Sequence, residues 1–186
     1  MRTINIHDIT HDDMLNGDGL RVVMWVSGCI HHCKECQNPK TWDENIGIPL
    51  DDWTEAEFWK WLAKPWTKGA TFSGGDPLHP ANREIIGKII EKIKRDYPTK
   101  DIWVYTGYTL TDDFLLEDID KNTFKLDYLD KIDILVDGRF ECDTRRKDID
   151  SNKKVLWRGS SNQRVIDIKK SLDSKKITWK EGVIND

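Results

Sequence analysis

The sequence predicts an α/β fold built on parallel strands. Three observations carry this. The apolar runs RVVMWVSG (21–28), DIWVYTG (101–107) and KIDILVDG (131–138) each close on a glycine. A run of helical periodicity, REIIGKIIEKIKR, lies between the first two. The resulting order is strand, helix, strand, helix, strand, as in sheets whose strands are buried on both faces and whose ligand sites lie at the strands' carboxyl ends.

Taken in order, residues 21–28 form the first strand, dense in β-branched side chains and stopped by Gly28. TEAEFWKWLAK (54–64) predicts a helix with Phe58, Trp61 and Leu62 on one face. Thr54 and Glu57 have capping-box spacing, and Pro65 follows the end. GATFSGG (69–75) is a short strand broken by its own glycines. Asn82 is placed to cap the next helix, in which Ile86, Ile89, Ile90 and Ile93 recur at helical spacing until Tyr97 and Pro98. Strands at 101–107 and 131–138 follow. TLTDDFLLEDI and FKLDYLDK between them read as helical or turn-like, and 143–154 is the most polar, loop-like stretch.

The chain has 186 residues, 38% of them hydrophobic and 33% charged, which suits one domain with its own core. No apolar run approaches the roughly 20 residues that cross a bilayer. MRTINIHDITHDDML lacks the basic and apolar regions of a secretion signal, so a cytoplasmic protein without a membrane partner is expected. The net charge of -4 divides into -9 over residues 1–138 and +5 over 139–186, an asymmetry that ordinary solvated surface accounts for. Nucleic-acid binding is not indicated.

Cys29, Cys33 and Cys36, spaced C-x3-C-x2-C in GCIHHCKECQNP, place three thiols within eight residues directly after the first strand; Cys142 is far away. A structural zinc site wants four ligands, and His31, His32 or His79 would have to complete one. A redox pair would leave Cys29 superfluous. An iron-sulfur cube uses three thiolates and keeps one iron open to a small molecule. Spacing leaves all three readings standing.

Among the remaining residues, the glycines of SGGDP (73–77) allow close backbone approach to a ligand, although Asp76 and Pro77 also suit a plain turn. NGDGLR (16–21) reads as a glycine-rich turn that could line a cavity. Arg158 and Arg164 could meet a carboxylate, with surface placement the plainer reading. Cys142 reads as a small interior or surface residue. Trp25, Trp61 and Trp103 sit in apolar runs, whereas Trp42, Trp53, Trp66 and Trp179 lie near polar segments where one or two could mark a docking surface.

The cysteine spacing after an apolar strand resembles the signature of radical S-adenosylmethionine enzymes. NGDGLRVVMWVSGCIHHCKECQNPKTW, TFSGGDPLHPANRE, DIWVYTGY, VDGRFE and WRGSSNQR resemble, in order, blocks of the proteins that activate anaerobic ribonucleoside-triphosphate reductase. The resemblance implies an incomplete parallel (β/α) barrel in a single domain over residues 1–186, with a core of about 15–165 and an extension at 166–186. It implies a [4Fe-4S] cluster on Cys29, Cys33 and Cys36, with S-adenosylmethionine chelating the open iron. Cosubstrate contacts are implied from Glu35, Cys36 and Gln37 and from Gly74, Gly75 and Asp76. Glu35 and Gln37 stand where relatives carry aromatic side chains, so backbone contacts are the implied ones there.

The implied chemistry is reductive cleavage of the cosubstrate to methionine and a 5'-deoxyadenosyl radical, which takes hydrogen from a glycine of the large reductase subunit. The partners are that subunit and an electron donor such as flavodoxin. An activator of pyruvate formate-lyase or another glycyl-radical enzyme, a small-molecule radical enzyme, and a zinc-dependent interaction module are the alternatives.

Overall fold

The computed structural model describes residues 3–144 and 157–182. Its elements in chain order are β1 (Asn5–Asp13), β2 (Arg21–Val26), β3 (Ile48–Pro49), α1 (Asp52–Leu62), β4 (Gly69–Gly74), α2 (Arg83–Asp96) and β5 (Asp101–Tyr105). The two-residue strands β6 (Thr109–Leu110), β7 (Leu116–Glu117) and β8 (Thr123–Phe124) come next, followed by β9 (Ile134–Asp137), β10 (Arg164–Asp167) and α3 (Ile168–Ser174). The main sheet runs β10-β9-β5-β4-β2-β1-β3, with β2, β4, β5 and β9 parallel. Antiparallel strands flank this centre, β1 and β3 on one side and β10 on the other. The fold is thus mixed α/β around a mostly parallel sheet.

Alternation along the strands gives the sheet two different faces. Val22, Met24, Phe72, Val104 and Leu135 join one core, against which α1 packs Phe58 and Leu62 and α2 packs Ile86, Ile90 and Ile93. The opposite, helix-free face carries the residues between them: Arg21 and Trp25, Thr71 and Ser73, Trp103 and Tyr105. Val23 is buried on that face, and a small apolar cluster of Trp103, Ile134, Val136 and Val165 lies there with Tyr105 and Trp157 packed on it.

Several sequence expectations change. Helix α1 begins two residues before Thr54, because Asp51 is its cap and accepts the Thr54 N–H at 2.9 Å. Asn82 does not cap α2 with its side chain; its Nδ2 donates to the Ser27 and Asp76 carbonyls at 2.8 and 2.9 Å, tying the helix start to two loops. The region 109–124 is a small antiparallel sheet rather than helix, with Leu110 and Leu116 contributing to the core. Strand β1 was not expected, since its run NIHDITHDD is polar; as a near-edge strand it buries Ile6 fully and leaves the rest exposed or only partly buried. Of the polar stretch 143–154, residues 145–154 lie outside the described residues.

At the amino end of β2, Arg21 is fully buried. It pairs with Asp101 at 2.6 Å and donates to Thr71 Oγ1 and the Ala70 carbonyl, both at 2.7 Å. A Cβ at Gly17 would meet its side chain at 2.7 Å, so the NGDGLR turn is shaped around this guanidinium. Removing one partner of a buried ion pair costs about 3–5 kcal/mol, and the Asp101 side chain is a quarter exposed, which favours the low end. Arg21→Ala is therefore expected to lower unfolding free energy by about 3 kcal/mol in urea denaturation.

Candidate functional site

Beyond Val26 the chain turns at Gly28 (φ +100°) into the cysteine loop. The loop is closed at its base: Gly28 N–H donates to the Thr41 carbonyl at 2.7 Å and Cys29 N–H to the Trp42 carbonyl at 3.0 Å. Inside it, His32 and Glu35 hold left-handed backbone (φ 45° and 55°), uncommon for such residues and tolerated where the surroundings dictate the turn. Cys36 N–H donates to the Cys33 carbonyl, and Asn38 N–H points at the Cys36 sulfur at 3.3 Å.

The SGGDP segment leaves β4 beside this loop. Gly75 N–H donates to the Val26 carbonyl and Asp76 N–H to the Gly28 carbonyl, both at 2.7 Å. A Cβ at Gly75 would stand 2.5 Å from the Gly28 oxygen and 2.8 Å from the Thr41 oxygen. The glycine is thus required by the approach of two backbones, a reason the sequence alone did not reveal.

A cavity of about 730 Å³ opens on the helix-free face at the carboxyl ends of the parallel strands. Cys29, Cys33, Cys36 and Gln37 line it from one loop, and Gly74, Gly75 and Asp76 from the other. Glu35 is exposed and is not among the described residues of its wall. The remaining wall includes Trp25, Tyr105, Trp157 and, from the unforeseen β1, His7, Asp8 and Asp13.

Asp76 is 1% exposed and its carboxylate is fully engaged. Oδ1 accepts the Leu78 N–H at 2.8 Å, Oδ2 accepts the Gly107 N–H at 2.9 Å, and the Thr106 hydroxyl lies 3.0 Å from both. His31 Nε2 completes the set at 2.7 Å from Oδ2. Burial, with the Asp76 carboxylate and Cys33 adding to it, pushes the Cys29 thiol up to about 12, so the free chain holds it protonated and metal binding must displace that proton.

The donor chemistry fits an iron-sulfur cluster better than zinc. Zinc holds thiolates at about 2.3 Å, which demands tight convergence of ligands. The three thiols share one cavity wall, and the loop that carries them holds no fourth cysteine. Of the histidines considered as a fourth zinc ligand, His31 meets Asp76 through Nε2, His79 accepts the Ala81 N–H through Nδ1, and His32 packs against the Trp42 ring. A cube spreads its thiolates over separate corners and needs only three of them here. The cavity also keeps two buried polar atoms without a partner among the described residues, Trp42 Nε1 and the Tyr105 hydroxyl. Such atoms cost about 1–3 kcal/mol each when left unmade, as in a site shaped for a polar ligand.

Other candidates resolve structurally. Arg164 binds Asp137 with Nε at 2.9 Å and with Nη2, so the carboxylate it meets belongs to its own chain. Arg158 lines the cavity and donates to the Ser161 and Gln163 carbonyls. Asn16 also lines the cavity, as expected for its turn, whereas Arg21 is sealed beneath it. Cys142 is partly buried in a short helical turn. Trp53 and Trp66 are the exposed tryptophans, at 86% and 53%.

Comparison with known proteins is consistent along most of the sequence. Residues 15–166 match the model of the 4Fe-4S single cluster domain family. The chain is 39% identical over 153 residues to the anaerobic ribonucleoside-triphosphate reductase-activating protein of Pasteurella multocida, covering 81% of this chain and 89% of the relative. It is 40% identical over 153 residues to the protein of that name from Enterobacteria phage T4 (82% and 87% covered) and 38% over 162 residues to that of Escherichia coli K12 (86% and 96%). With the cysteine loop and SGGDP turn on one cavity and this similarity running through both, the chain belongs to the family of anaerobic ribonucleoside-triphosphate reductase-activating proteins, within the 4Fe-4S single cluster domains.

Proposed function

We propose that this protein is a radical S-adenosylmethionine activase that installs a glycyl radical on the large subunit of an anaerobic ribonucleoside-triphosphate reductase. The observation that carries the reading is the joining of two loops: the C-x3-C-x2-C loop and the SGGDP turn are hydrogen-bonded to each other and line one cavity. Cys29, Cys33 and Cys36 would hold the [4Fe-4S] cluster, and S-adenosylmethionine would lie against Cys36, Gln37, Gly74 and Gly75. A reduced cluster held there would supply the electron for reductive cleavage of the sulfonium–5' carbon bond, to methionine and a 5'-deoxyadenosyl radical.

The chain's own contribution is placement and exclusion of water. Loops tied at 2.7 Å fix one ligand against the other, so the reacting atoms meet without a further search. Trp25, Tyr105 and Trp157 wall the cavity with rings, which keeps water from a radical that reacts with the nearest hydrogen donor. Four parallel strands with helices on one face and the cavity on the other support reading the fold as an incomplete (β/α) barrel. The names of the relatives support the large reductase subunit as partner; an electron donor such as flavodoxin and a cytoplasmic setting complete the proposal. No helix among the described residues is long and apolar enough to cross a membrane.

The test is anaerobic reconstitution with iron and sulfide, followed by reductant and S-adenosylmethionine. Formation of 5'-deoxyadenosine, and a glycyl radical signal once the large subunit is added, is the expected result. Cluster-loaded protein that yields neither product would refute the proposal.

A further inference from the structure

The most heavily bonded side chains near the cavity are not those that the proposed chemistry uses. His31 lies between Cys29 and Cys33 yet is only 5% exposed, and its Nε2 meets the Asp76 carboxylate at 2.7 Å across 45 residues of sequence. The same carboxylate accepts the Gly107 N–H and the Thr106 hydroxyl at the exit of β5. The imidazole is packed as closely as it is bonded. Its edge meets the Tyr108 ring at 4.8 Å between centroids, and Arg139 donates to its carbonyl. A Cβ on Gly107 would fall inside the ring's van der Waals envelope. Asp76 therefore has no free acceptor facing the cavity, and three loops meet in one buried junction.

We infer that His31, which also lines the cavity, is a positioning residue: through Asp76 it sets the cysteine loop relative to the SGGDP turn, so that binding of S-adenosylmethionine depends on this buried link. The inference rests on the function proposed above. The cysteine loop is already closed at its base by Gly28–Thr41 and Cys29–Trp42 hydrogen bonds. Loss of the imidazole therefore leaves the thiols on a closed loop that stays joined to the turn at its base through the Asp76 N–H to Gly28 carbonyl bond, and removes only the side-chain tie at residue 31.

The experiment uses the full chain reconstituted anaerobically. Iron and sulfide content, the dissociation constant for S-adenosylmethionine by equilibrium dialysis, and the change in the reduced cluster's EPR spectrum on adding the cosubstrate are measured together. His31→Ala is expected to keep the parent's iron content and weaken cosubstrate binding about tenfold or more, with a reduced EPR change. His31→Gln, whose amide reaches the same point and donates to Asp76, is expected to restore most of the affinity. Gly107→Ala, which displaces the ring without altering it, should reproduce the alanine variant's loss.

Parental affinity and EPR response in both His31→Ala and Gly107→Ala would overturn the inference, as would loss of iron in step with cosubstrate, since the histidine would then serve only the loop's own fold. Should His31→Ala fail to fold, Gly107→Ala and His31→Gln decide the matter by the same measurements. If the parent binds cluster but no S-adenosylmethionine, the failure belongs to the proposed function instead.

Discussion

Cys33→Ala protein, reconstituted without oxygen, is expected to carry little iron, show no brown absorbance and form 5'-deoxyadenosine at less than about a thousandth of the parent rate. The thiol is only partly buried, and the main core lies on the other side of the sheet. Losing one sulfur there should move the unfolding free energy by less than about 1 kcal/mol. The contrast is the useful part. A structural zinc site contributes directly to folding, so a zinc protein with the same substitution would unfold more easily and would have had no colour to lose. Metal content, visible absorbance and urea denaturation on one preparation separate these outcomes.

Gly75→Ala is the second large effect expected. Its methyl group would press on two backbone oxygens, at 2.5 and 2.8 Å, rather than on a side chain able to swing away. Neither oxygen is free to retreat: Thr41 accepts the Gly28 N–H and Gly28 accepts the Asp76 N–H, both at 2.7 Å. Overpacking of this kind costs about 1–3 kcal/mol in stability. The damage to binding should be larger than that, about a hundredfold in affinity for S-adenosylmethionine, because the strain falls on the junction between the two loops. An isothermal binding measurement and a denaturation curve compared side by side check this. Equal affinities for parent and variant would mean that the turn does not receive the cosubstrate.

Much of this arrangement is legible in the sequence where the signal is local. Strands β2, β5 and β9 announce themselves as apolar runs because most of their residues are buried, and α2 does so because its isoleucines keep one face. The cysteine spacing is equally local. What escapes notice is written in long-range pairings. Strand β1 has polar composition because one face and much of one edge meet solvent or the cavity. The small β6-β7-β8 sheet rests on two-residue strands with no room for periodicity to develop. Asn82 has the composition of a cap and spends its amide elsewhere. The His31–Asp76 pair joins residues that no spacing rule connects, and the only hint was an imidazole inside a cysteine loop.

The order in which the sheet is completed bears on how the polypeptide is made. Strand β10 and the start of α3 come near the end of the sequence, yet Val165, Ile166 and Ile168 are fully buried and β10 pairs with β9 along Ile134–Asp137. Until residues 164–167 have left the ribosome, β9 lacks the strand that shields one of its flanks. In that interval the open edge of β9 is a template on which another chain can pair.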